Sequence, residues 1–169
     1  MNHDPPKCEL VVELPARVKQ HEIPGDIRIS IRNLGHSNVS LVMPGDGSEC
    51  AWRTPIIGWS VLPLDSHEAH PEKPVRRPTG RCGNIGPLTA EQVFTLKPGE
   101  SQSLGTWLDF PTQLEAGKYR VLFYYENRPS IEWRGIPLGD HDMNAMDAVT
   151  ESDAVCLLSE EAIVEVTKD

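Results

Sequence analysis

Apolar residues recur at every second position along much of the chain, the spacing of strands that turn one face to a core and the other to water. The alternation is cleanest at residues 26–34, where Ile27, Ile29 and Ile31 share one face and Arg28, Ser30 and Arg32 share the other. The β-branched run at 8–14, the alternation at 38–43 and the apolar segment at 56–62 predict three further strands. Residues 92–96 and 101–108 flank Lys97, Pro98, Gly99 and Glu100, and together they predict a hairpin. In its turn, proline presets φ at one central position and glycine supplies positive φ at the next. The aromatic segment 118–126 predicts a strand central to a sheet, and 161–167 a closing strand.

Helical spacing occurs once, within residues 140–149. There Asp140 and Asp142 make an acidic first turn, and Met143, Met146 and Val149 line one side of a short amphipathic helix. Seven or eight short strands, turn residues between them and one helix predict an all-β fold, an immunoglobulin-like two-sheet β-sandwich, in preference to an α/β fold. A length of 169 residues fits a single domain over 1–169. Residues 63–87 lose periodicity and are rich in proline, which predicts a long irregular loop or extended arm.

The net charge of −9, from 16 basic and 25 acidic residues, speaks against nucleic acid or an anionic membrane as the main partner. No stretch approaches the roughly 18–20 apolar residues of a membrane helix, so no transmembrane segment is expected. The first six residues have neither a basic nor an apolar signal region. This fits a cytoplasmic chain as given, or an exported one from which a signal peptide was removed.

The stretch that runs from Phe94 through Pro98, Gly99 and Glu100, past Trp107, to Gly117, Tyr119 and Val121 resembles the late strands of bacterial immunoglobulin-like domains. In those a Pro-Gly-Glu turn leads into a strand and then into a Gly-x-Tyr-x-Val strand. The pattern is similar in particular to the bacterial intracellular proteinase inhibitor family. Asn33, Leu34 and Gly35 are similar to the Asn-x-Gly strand end of such domains. The resemblance implies turn and core roles for Gly99, Trp107, Gly117 and Tyr119, and it maps no inhibitory loop. Residues 63–87 and 133–149 depart from the family pattern. The segments around Asp46, Arg81 and Asp140 are similar to uncharacterised bacterial immunoglobulin-like proteins with no assigned activity.

Metal chemistry has weak candidates in His67 and His70, which lie with Asp65 and Glu68 in a proline-rich segment where no helix fixes both imidazoles on one face. His141, between Asp140 and Asp142, fits the polar start of the helix better than a ligand set. Cys82, flanked by Arg81 and Gly83, is the best nucleophile candidate, because a neighbouring cation lowers a thiol pKa. Four cysteines, at 8, 50, 82 and 156, permit three two-bridge connectivities. Cys50 and Cys82 are the candidate disulfide pair, against the alternative of unpaired thiols. Neither a G-x-G-x-x-G nor a phosphate-binding P-loop sequence occurs, so no cofactor is expected.

Trp59 and Trp107 fit a core. Trp52 and Trp133 lie beside Arg53 and Arg134 in loop-like sequence, and these four are the candidate binding residues, since tryptophan and arginine dominate interface hot spots. The expectation is a non-enzymatic binding module that meets a protein partner through residues 45–55, 63–87 and 133–142. A carbohydrate platform of indole rings, an inhibitor-like domain, or an enzyme using Cys82, His67, His70 or His141 are its rivals.

Overall fold

The structure is a computed structural model that describes residues 7–22, 24–44, 54–72, 84–85, 89–106, 110–130, 136–137 and 143–168. In chain order its strands are β1 (Cys8–Glu13), β2 (Arg17–Lys19), β3 (Arg28–Asn33), β4 (Val39–Val42), β5 (Ile56–Pro63), β6 (Asn84–Ile85), β7 (Val93–Leu96), β8 (Ser101–Thr106), β9 (Gly117–Asn127), β10 (Ile136–Pro137), β11 (Val155–Leu158) and β12 (Ala162–Thr167). A 3-10 turn (Ala90–Gln92) precedes β7, and a helix, α1 (Met143–Thr150), lies between β10 and β11. The fold is all-β, as the alternation predicts.

One sheet has the order β1-β3-β8, antiparallel throughout. Its alternation is literal: Ile29 and Ile31 of β3, with Ile27 just ahead of them, have no exposed surface, while Arg28 and Arg32 face out. A second sheet is organised around β9, which pairs with β5 along one edge and with β11 and then β12 along the other. Ser159 stands at the changeover from β11 to β12. Its backbone N–H donates to the Phe123 carbonyl at 2.9 Å and its hydroxyl accepts from the Phe123 N–H at 3.0 Å. The far edge of β12 carries β2 in parallel. Both sheets contribute to one apolar cluster, in which Leu10, Ile29, Ile31 and Leu104 meet Val121, Phe123, Tyr125 and Val164. Trp59 is part of this core, with its ring centroid 5.0 Å from that of Phe110 and 4.9 Å from that of Phe123.

The hairpin predicted across Lys97 to Glu100 is not formed. The turn exists, with Gly99 at φ +82° and Glu100 N–H donating to the Lys97 carbonyl, but β7 pairs with β4 and β8 pairs with β3. Arg32 lies opposite Ser101 and Val39 opposite Leu96, so β3–β4 and β7–β8 are two interrupted strands running side by side. The reason is Asn33, whose side chain has no exposed surface. Its amide nitrogen donates to the carbonyls of Leu96 and Ser37, its amide oxygen accepts from Gly35 N–H, and its backbone exchanges hydrogen bonds with Glu100 and Gly99. One asparagine thus satisfies the groups that two interrupted ladders would otherwise strand.

Candidate functional site

Strand β9 divides its residues by parity. Val121, Phe123 and Tyr125 enter the core, and Arg120, Leu122 and Tyr124 project from the opposite face of the sheet. On the neighbouring β5, Ser60 lies opposite Leu122 and Gly58 opposite Tyr124. A Cβ at Gly58 would collide with the Tyr124 hydroxyl, so the glycine makes room for that ring.

Residues 64–72, the described start of the proline-rich segment, lie against this outer face as a strap. Leu64 N–H donates to the Lys118 carbonyl at 2.8 Å. The Arg120 guanidinium donates through Nη2 to the carbonyls of Ser66, at 3.1 Å, and Glu68, at 2.6 Å. His70 then closes the strap. Its side chain is only 8% exposed, with Nδ1 at 2.7 Å from the Ser60 hydroxyl and Nε2 at 3.1 Å from Glu161 Oε2. That carboxylate, just ahead of β12, also lies 3.3 Å from Arg120 Nη1. It approaches Nε2 closely but out of line for a hydrogen bond, so Nε2 has no aligned partner.

Burial is the first cause that pushes the His70 pKa below its ordinary value. Glu161 opposes that shift and Arg120 adds to it. In the tautomer with its proton on Nε2, on the Glu161 side, a neutral ring accepts the Ser60 proton at Nδ1. Serine, histidine and carboxylate in this order evoke a proton relay, but Ser60 lies mid-strand on a sheet face and is 9% exposed. It lacks the strained, protruding turn that presents a nucleophile to substrate. The arrangement is suited to holding the strap. Beside it opens a shallow groove of about 450 Å³ lined by Pro63, Leu64, Asp65 and residues 116–119.

Of the candidate metal, nucleophile, disulfide-pair and binding residues, His67 and His70 are described, with Asp65 and Glu68 beside them. The two histidines are not brought together: His67 is exposed, while His70 turns inward to Ser60. Among the described residues no group of three or more His, Cys, Asp or Glu side chains is arranged to hold a metal. Trp52, Arg53, Trp133, Arg134, His141, Cys50 and Cys82 lie outside the described residues. Of the other two cysteines, Cys8 is half-buried and Cys156 exposed, and burial first, then Asp153, pushes the Cys8 pKa up. Among the described residues no helix is long and apolar enough to cross a membrane.

Sequence reasoning missed Ser60, Arg120 and Glu161. Each belongs to a different stretch of chain, and only the register of β5, β9 and β12 brings them under His70. The one signal was the outward parity of Ser60 and Arg120 on two apolar strands. Comparison of the chain with family models, with curated proteins and with solved structures finds no match.

Proposed function

We propose that the chain is an immunoglobulin-like, non-enzymatic binding module that meets a protein partner through its long segments at residues 45–55, 63–87 and 133–142. The immunoglobulin-like part of the reading is supported by two features. Tyr119, at the start of β9, donates from its hydroxyl to the Glu115 carbonyl at 2.9 Å, the contact that marks the corner before the equivalent strand of such sandwiches. Edge strand β2 runs parallel to the last strand while the other long pairings are antiparallel.

The binding part is carried by one observation, the parallel pairing of β6 with β10, Asn84 opposite Ile136 and Ile85 opposite Pro137. It ties the end of one long segment to the middle of another on a single scaffold, and rigidly based loops are where recognition concentrates. Trp52, Arg53, Trp133 and Arg134 are the contact residues in this reading.

Crosslinked capture from source cells by the purified protein, beside a Trp52→Ala, Trp133→Ala variant of matched thermal stability, tests it. Defined partner bands recovered by the first and lost from the second are expected. Identical bands from both, or none from either, would overturn the proposal.

A further inference from the structure

We infer that His70 is an acid-sensitive latch, and that the strap at residues 64–72 is docked on the outer face of the β5–β9–β12 sheet near neutral pH and released as the pH falls. The inference concerns regulation built into the fold and does not depend on what the module binds. Three stretches of chain outside the strap converge on the imidazole: Ser60 from β5, Arg120 from β9 and Glu161 ahead of β12. Among the described residues the charged groups facing the ring from the elements packed against it are Arg120 and Glu161, one of each sign, and Ser60 is neutral.

Docked, the side chain is 8% exposed. Undocked, it stands in water with the ordinary histidine pKa of about 6.5. A proton added to the docked ring turns Nδ1 into a donor, so the Ser60 hydroxyl must rotate to accept. It also places a cation against the Arg120 guanidinium in a site nearly closed to solvent. Glu161 offsets part of this cost, but it is 41% exposed and already shared with Arg120, and its oxygen lies out of line with the ring N–H.

The direction follows from proton linkage. The docked pKa is the lower one, so the undocked strap binds more protons below about pH 6.5, and docking is complete above that value and weakens below it. Release also returns the Arg120 guanidinium, now held by the Ser66 and Glu68 carbonyls, to solvent beside Ser60 and Leu122.

Amide hydrogen exchange on the full chain from pH 7.5 to 5.0, expressed as protection over intrinsic rates, tests the latch. Protection at the hydrogen-bonded strap amides, Leu64, Ser66 and Glu68, is expected to fall by up to about tenfold per pH unit below 6.5, while β9 amides keep theirs. In His70→Asn, which keeps a hydrogen-bond acceptor for Ser60 but does not titrate, strap protection should be flat across the same range. In Glu161→Gln, an exposed and conservative change, the fall should be deeper at pH 5, because the opposing anion is gone. A flat profile in the natural protein, an undiminished fall in His70→Asn, or a shallower fall in Glu161→Gln would each overturn the proposal.

Discussion

Tyr125 is fully enclosed on the core face of β9, and its hydroxyl donates to the Val42 carbonyl at 2.6 Å. Burial pushes its pKa far above the ordinary value, the hydrogen bond to Val42 pulls the other way, and the neighbouring Cys8 adds to the rise. A raised pKa here means that the fold favours the neutral phenol. Its contribution is therefore complete below the unfolded value of about 10 and is lost as the pH climbs beyond it. Tyr125→Phe should cost about 1 to 2 kcal/mol at pH 7, because the Val42 carbonyl loses its donor. The gap between the two proteins in urea unfolding should then narrow above about pH 10, whereas a gap that stays constant to pH 11 would contradict this assignment. The aromatic run already marked this strand as central. The latch had no comparable mark, because a histidine in a proline-rich segment has the same local sequence whether it is exposed like His67 or enclosed like His70.

The elements followed from alternation wherever they were long enough to show it. Strands β1, β3, β4, β7, β8 and β12 fall within the predicted segments, while β5, β9 and helix α1 occupy theirs and run one residue past an end, β9 at both ends. Strand β2 did not register, since three residues give little more than one period of a period-two pattern. Pairing was less legible than existence. A Pro-Gly turn between two strands suggests that they pair with each other, yet Asn33 splices β7 and β8 into one interrupted strand instead. This joint makes a graded prediction. Asn33→Ala strands the buried Leu96 carbonyl and the part-buried Ser37 carbonyl and Gly35 N–H, and should cost about 2 to 4 kcal/mol. Gly99→Ala meets no atom within 4 Å and changes only the strain of a positive φ, about 1 to 2 kcal/mol. Urea midpoints that reversed this order would show that the turn, and not the asparagine, organises the joint.

The two larger sheets differ in how they are shielded. The β1-β3-β8 sheet turns Arg28 and Arg32 outward, whereas the β9 sheet has a strap over part of its outer face and keeps Leu122 and Tyr124 buried on the side away from the core. The strap is held by a few polar contacts and the sheets by a shared apolar cluster, which sets two scales of stability in one molecule. Opening the strap leaves the core intact, but weakening the core at any point should loosen both sheets together. Ile29→Val in the first sheet should lower stability by about 1 kcal/mol, and Val121→Ala in the second by about 2 kcal/mol. Because Ile29 and Val121 belong to the same cluster, each change should reduce amide protection equally in β3 and β9. A loss confined to β1, β3 and β8 after Ile29→Val would instead divide the chain into two independently stable sheets. Strap protection at neutral pH should be unchanged in both variants, since its opening is the cheaper event and does not pass through unfolding of the core.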